Sequence, residues 1–213
     1  MNSDEEKAPG LFIVISAPSG AGKTSICRRL LDKWPNLRYS VSYTTRTPRP
    51  GEEDGRDYYF ISPSVFKEKI AQGEFVEWVE NYGQFYGTAR ASIQPLLEQG
   101  LDLLIDVEPR GAKELKINFP GGIFVFILPP SWQELKNRLI KRGCEGEAAM
   151  KERLHQAREE CKAVIWYDYA LFNDRLGEAV DQLSAIYVAE KTRRKRLMGR
   201  IDGLFHKECM NKR

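Results

Sequence analysis

Cysteine and histidine are scarce in this chain. Its 213 residues include four cysteines (Cys27, Cys144, Cys161 and Cys209) and two histidines (His155 and His206), with no Cys-x-x-Cys pair. That argues against a structural zinc site and against a disulfide framework. Reduced thiols, as in a cytoplasmic protein, are the expectation. Long apolar runs are also missing. The longest, Leu11–Ile15 and Ile123–Leu128, suit buried strands and fall far short of a membrane span, so no membrane partner is expected. Residues 1–10 are polar and acidic, with no basic segment leading into an apolar one, which argues against a secretory signal. Charge of one sign is not in excess either. Lys and Arg number 33 against 30 Asp and Glu, and the net +3 is too small to argue for a nucleic-acid partner. There is no internal repeat and no low-complexity segment. The chain does have 42% hydrophobic and 30% charged residues, enough for a buried core and a solvated surface in one large domain or a core with small inserts.

Leu11–Ile15 is continuous, apolar and β-branched, the pattern of a strand buried on both faces in a parallel sheet. A helix is expected from about Lys23 to Leu31, with Ile26, Leu30 and Leu31 on one face. Further strands are expected over Tyr39–Thr45, Asp57–Ile61, Phe75–Glu80, Leu101–Val107, Ile123–Leu128 and Ala170–Phe172. Helices are expected over Pro63–Gln72, Thr88–Gln99, Ala112–Ile117, Ser131–Lys141 and Ala148–Tyr167, with one or two over Gly177–Arg200. Strands alternating with helices favour a parallel α/β sheet. Tyr39–Arg90 breaks that rhythm with several short strands and reads as an inserted subdomain.

Between the first strand and the first helix lies Ala17-Pro18-Ser19-Gly20-Ala21-Gly22-Lys23-Thr24. This is the context a phosphate-binding loop needs. Glycines let backbone N–H groups curl around phosphates, and the helix N-terminus adds partial positive charge. Lys23 reaches the β- and γ-phosphates of a nucleoside triphosphate, and Thr24 offers a hydroxyl to Mg²⁺. The usual first glycine is replaced by Ala17. Asp106 closes an apolar strand, either as an acidic group near the phosphates or as an ordinary strand-end carboxylate.

A phosphate loop alone does not separate hydrolases, transporters and kinases. Ser42-Tyr43-Thr44-Thr45-Arg46-Thr47-Pro48-Arg49-Pro50-Gly51 sets Arg46 and Arg49 around a proline bend, where two guanidiniums suit a monophosphate clamp or solvated surface positions. Tyr58 and Tyr86 add phenolic donors. With Asp57-Tyr58-Tyr59-Phe60, Glu74-Phe75-Val76-Glu77-Trp78, Tyr86-Gly87-Thr88, Leu104-Ile105-Asp106, Phe126–Ser131, Arg142-Gly143 and Asn173-Asp174, the chain resembles the guanylate kinase family from about Leu11 to Leu183.

The resemblance implies a P-loop three-layer α/β/α fold with a parallel core sheet. It also implies an inserted GMP-binding subdomain (about 39–97) and a small lid (about 129–167) on a core of about 9–38, 98–128 and 168–200. The reaction it implies is Mg²⁺-dependent: ATP + GMP ⇌ ADP + GDP, with dGMP a second acceptor. Residues 17–24 would hold ATP. Arg46, Arg49, Tyr58 and Tyr86 would hold the GMP phosphate, and Ser42, Glu77, Thr88 and Asp106 would surround guanine. Guanine shows two adjacent donors that one carboxylate such as Glu77 accepts together, and adenine lacks one of them. Lys23, Arg142 and Arg153 would offset charge on the transferring group, with Arg138 a further member of the basic cluster. No general base is needed, because the acceptor is a phosphate oxygen that is already anionic.

Two features depart from the family pattern, and a basic tail stands outside it. Val107-Glu108-Pro109-Arg110-Gly111 keeps an acidic residue in Glu108 but replaces the usual Gln before glycine with Arg110. Cys144 stands where the family has Thr, Ser or Gln. The basic run from Lys191 to Arg196, opening a tail of about 191–213, reads as a solvated helix end, with a nucleic-acid or membrane contact as the alternative. A protein-binding module of the same fold is a rival reading, and the intact Lys23 and Thr24 argue against it.

Overall fold

The computed structural model describes residues 9–81, 83–141 and 146–210, without the side chains of 206–210. The expectations for Arg142 and Cys144 lie outside the described residues.

Five strands form a sheet in the order β2-β7-β1-β8-β9, every pair parallel. They are β1 (Phe12–Ser16), β2 (Leu37–Tyr39), β7 (Asp102–Asp106), β8 (Ile123–Leu128) and β9 (Tyr169–Phe172). Alternate side chains divide between two cores, as the period of two demands. Ile13, Ile15, Leu104, Val125 and Ile127 face α1 (Lys23–Lys33) and α7 (Leu176–Lys191), whose Ile26, Leu30, Leu183 and Tyr187 complete that layer. Phe12, Val14, Leu103, Ile105 and Phe124 face the other side, where α4 (Pro109–Asn118) supplies Ala112 and Leu115. The result is the three-layer α/β/α arrangement expected.

A second sheet of four strands has the order β4-β3-β6-β5, built from β3 (Tyr43–Thr44), β4 (Tyr59–Phe60), β5 (Phe75–Asn81) and β6 (Gln84–Ala89). Helix α2 (Pro63–Ala71) covers it through Phe66, which stacks on Phe75 and Phe85 at 4.5 and 5.4 Å. Ser62 caps α2 by accepting the Val65 N–H, with Pro63 at the first helical position.

The remaining helices are α3 (Gln94–Glu98), α5 (Trp132–Lys141), α6 (Glu147–Cys161) and α8 (Arg194–Met210). Several boundaries differ from the sequence reading. Thr88 does not open a helix. It belongs to β6 opposite Glu77; a 3-10 turn over Arg90–Ser92 follows, and α3 begins at Gln94, where Pro95 sits in the first turn, which needs no N–H from it. Tyr39–Thr45 divides between the two sheets, because Ser40 leaves β7 with a single bond to Leu104. Helix α4 begins three residues early, at Pro109, for the same reason as α3. The C-terminal helix breaks at Thr192, whose hydroxyl donates to Val188 and Ala189 carbonyls.

At the N-terminal ends of the strands, the buried Asp102 carboxylate accepts the Leu11 N–H (2.7 Å), the Tyr187 hydroxyl (2.6 Å) and the Lys191 ammonium (2.7 Å). Burial pushes its pKa up, but the Leu11, Lys191 and Tyr187 donors outweigh that and hold it below the usual carboxylate range. This clasp joins β1, β7 and α7. No described helix is long and apolar enough to cross a membrane.

Candidate active site

Both neighbours of β1 belong to later parts of the chain, so the order of the parallel sheet reverses beside it, and a crevice opens at the carboxyl ends of the strands. The loop from Ala17 to Thr24 leaves β1 at that point. Gly20 and Gly22 have φ of 92° and 98°, in the left-handed region that favours glycine. A Cβ on Gly22 would also lie 2.3 Å from Asn173 Nδ2. That amide donates to the Ala21 carbonyl at 2.7 Å, and Arg138 donates to the same carbonyl and to that of Asn173, each at 3.2 Å. Leu135 and Leu139 pack beneath Gly20. Arg138 thus braces the loop from behind and does not line the cleft.

Lys23 is enclosed by the loop. Its Nζ lies 3.4 Å from Asp106 Oδ2 and donates to the Val107 carbonyl at 3.2 Å. Burial works to lower its pKa, while the carboxylates of Asp106 and Glu108 overcome that and raise it, so the amine stays protonated. Asp106 also accepts the Tyr39 hydroxyl. Register explains the meeting: Asp106 ends β7 opposite Ile15, one residue from the end of β1. The N–H of Ser19 donates to Glu160 of α6 at 3.3 Å, a carboxylate on an anion-binding loop. Desolvation, then the nearby Glu108, push the Glu160 carboxyl up to about 7.

The opposite wall comes from the second sheet. Glu77, Val79 and Asn81 share the cleft face of β5. Glu77 is buried, and its Oε1 accepts the Thr88 hydroxyl at 2.6 Å, which in turn lies 3.1 Å from Ser42 Oγ. Desolvation, only partly offset by the Thr88 hydrogen bond, pushes the Glu77 carboxyl up to about 7. Thr88 is fully buried, so it acts through Glu77 and Ser42 instead of lining the cleft. Gly111, in the first turn of α4, lies against this carboxylate: a Cβ there would meet Glu77 Oε2 at 2.3 Å. Gly111→Ala should therefore displace Glu77 and raise the KM for GMP about tenfold, a loss of one hydrogen bond's worth. ATP affinity should stay within twofold; equal losses for both nucleotides in steady-state titrations would count against this geometry.

Arg46 and Glu52 are paired at 2.9 Å, through bonds from one guanidinium nitrogen to both carboxylate oxygens. The guanidinium lies 5.6 Å from the Tyr58 ring centroid, and Tyr58 meets Tyr86 edge-on at 6.1 Å. Glu52 also accepts the Arg49 N–H at 2.8 Å. Arg28, one turn beyond Thr24 on α1, reaches Asp57 beside Tyr58 and links the two walls.

The two walls bound one cleft of about 740 Å³, lined by the loop, Lys23 and Thr24 on one side and Ser42, Arg46, Arg49, Tyr58, Glu77 and Tyr86 on the other. Asp106 and Arg153 also line it. Of the expected site residues, Ala21 and Thr88 sit just behind its surface. Sequence reasoning did not find Arg28, Glu52, Asn81 or Glu160. Glu52 lies within the Arg46–Tyr58 segment and its spacing from Arg46 was readable; Arg28 follows Thr24 by one turn but meets Asp57 only through folding, and Asn81 and Glu160 reach the site through long-range folding alone.

A triphosphate-binding loop facing a polar, arginine-rimmed pocket across one cleft defines a nucleoside monophosphate kinase. Comparison with known proteins agrees. A sequence profile described as guanylate kinase matches residues 10–190. The guanylate kinase of Syntrophus aciditrophicus (strain SB) is 54% identical over 208 residues, 98% of this chain and 100% of the relative. That of Geobacter sulfurreducens is 42% identical, covering 93% of this chain and 98% of the relative. A crystal structure of guanylate kinase from Anaplasma phagocytophilum superposes with a TM-score of 0.75 at 30% identity, covering 93% of this chain and 98% of that one. The chain belongs to the guanylate kinase family, and it is an ATP:GMP phosphotransferase.

Proposed function

We propose the following division of labour for the transfer of the γ-phosphoryl group of ATP to GMP. The observation that carries it is that Lys23 and Glu77, from separate sheets, line the same cleft. The loop of residues 17–24 holds the ATP phosphates through its backbone N–H groups, which Pro18 alone lacks. Arg46, Arg49, Tyr58 and Tyr86 hold the GMP phosphate. Glu77, ionised, accepts both guanine donors; Ser42 lies beside O6, with Thr88 orienting the pair. Asp106 stands between the two sites, fixing Lys23 and facing the acceptor.

An oxygen of the GMP phosphate attacks the γ-phosphorus as the bond to the β–γ bridging oxygen breaks, giving ADP and GDP. Lys23 and Arg153 offset the charge that spreads over the transferred group, with Arg142 expected to join them. No proton needs to move. Alignment and exclusion of water do the rest. The Thr24 hydroxyl, with the Asp106 and Glu108 carboxylates on the same cleft, offers the hard oxygen donors that suit Mg²⁺ held mainly by nucleotide phosphates. When bound, the ion would screen the β- and γ-phosphate charge.

Nothing proposed here contacts the ribose 2′-hydroxyl, so dGMP should also serve. The second sheet with its flanks (about 39–97) acts as the acceptor subdomain, and α5–α6 (about 129–167) as the lid. Reduced thiols fit a cytoplasmic enzyme. ADP release from ATP with GMP, dGMP, AMP, CMP and UMP in turn tests the reading. Turnover is expected with GMP and dGMP, with AMP lower by at least about 10³-fold because its base leaves Glu77 unpaired. AMP turnover equal to GMP would remove the guanine assignment.

A further inference from the structure

A chain of hydrogen bonds crosses the cleft through Asn81, Gln156 and Glu160, none of them assigned above to ATP or GMP, and ends on Glu108 and on the Ser19 N–H of the phosphate loop. Asn81 ends β5, on the face that carries Glu77. Its Nδ2 donates to Glu108 Oε1, on the loop after β7. Its Oδ1 accepts from Gln156 Nε2 of α6 at 3.2 Å. Gln156 also donates to Glu160 Oε1 at 3.3 Å, and Glu160 Oε2 accepts the Ser19 N–H. The Asn81 amino group faces the Glu108 carboxyl oxygen, so the amide carbonyl faces away, towards the Gln156 amino group. Both hydrogens of the Gln156 amino group are then used. One side chain, Asn81, therefore touches the core, the second sheet and α6 together.

Gln156 lies one turn from Arg153 on α6, so the two share a face. Whatever seats Gln156 also seats Arg153. We propose that Asn81 is a positioning residue that couples the two nucleotide sites. GMP, held by the second sheet, fixes Asn81, and Asn81 fixes α6 with Arg153 over the phosphate loop. The proposal rests on the reading of α5–α6 as a lid.

Hydrogen exchange of the full-length protein, read by mass spectrometry over Glu147–Cys161, tests both ideas separately. In the unsubstituted protein, GMP alone should slow exchange of α6, and so should a non-hydrolysable ATP analogue. In Asn81→Leu the ATP analogue should still slow α6 but GMP should not, although GMP binds within threefold of its former affinity. The kcat should fall about tenfold with KM for GMP nearly unchanged, because a correctly bound pair is then misaligned. Gln156→Leu should match it, and the double variant should be no worse than either alone. No slowing of α6 by any nucleotide in the unsubstituted protein would overturn the lid reading, and the coupling with it. Slowing by GMP that survives in Asn81→Leu would overturn the coupling and leave the lid. Multiplying losses in the double variant would likewise overturn it. If Asn81→Leu does not fold, Gln156→Leu carries the same measurements.

Discussion

Lys23→Met should leave a folded protein whose GMP-dependent ADP formation is lower by about 10³-fold, the scale of losing a single preorganised donor in a water-poor site. In the proposed assignment the ammonium serves the β- and γ-phosphates, and it lies 3.4 Å from Asp106. Asp106 and Glu108 keep it charged against the pull of burial. Arg138 does not repeat it: its guanidinium is committed to the Ala21 and Asn173 carbonyls and Glu134. The fold should survive because Asp106 keeps its bond from Tyr39 and the apolar cores on both faces of the sheet are untouched. A melting curve together with a coupled ADP assay checks both halves. A kcat within tenfold of the parent would refute the electrostatic role.

Glu77→Gln should separate function from stability. In the unfolded chain this carboxyl ionises near its ordinary 4.5, and in the folded protein near 7. Between those values the folded state holds a proton that the unfolded state lacks. The stability tied to that proton is full below about pH 4.5 and is lost as pH rises through about 7. A difference of 2.5 units (about 7 minus 4.5) corresponds to roughly 3 kcal/mol at pH 8, as an order of magnitude. The neutral variant escapes that cost. It should melt higher than the parent at pH 8 without nucleotide, and the gap should close towards pH 5. GMP use should move the other way. The KM for GMP should rise roughly 10²-fold at pH 8, from the loss of a charged acceptor for two guanine donors. Below about pH 7 the parent must give up a proton to bind GMP, and its advantage over the variant should shrink by up to tenfold per unit. Taking the ratio of the two proteins removes the titration of the GMP phosphate itself. A constant ratio from pH 5.5 to 8 would contradict ionised Glu77 as the guanine acceptor.

Much of this site was readable before folding, for local reasons. The phosphate loop is eight consecutive residues whose spacing encodes its own shape, and its strand and helix carry unambiguous patterns. Arg46, Arg49 and Tyr58 lie within thirteen residues of one another. Glu77 was legible only through the family resemblance, since a lone carboxylate beside Trp78 has no local mark of burial. Thr88 falls at the start of the stretch read as a helix to Gln99; pairing with β5, a tertiary fact, puts it on a strand. The Ser19–Glu160 and Asn81–Gln156 contacts join residues 141 and 75 positions apart, and no periodicity announces them.

The Asp102 clasp lies at the opposite end of the sheet from the nucleotides. It ties the first strand, a central strand and the last core helix together where no substrate reaches. One contributor to heat tolerance thus lies at the rim opposite the groups that carry turnover. A lineage moving to a hotter or colder habitat has somewhere to adjust the first without disturbing the second.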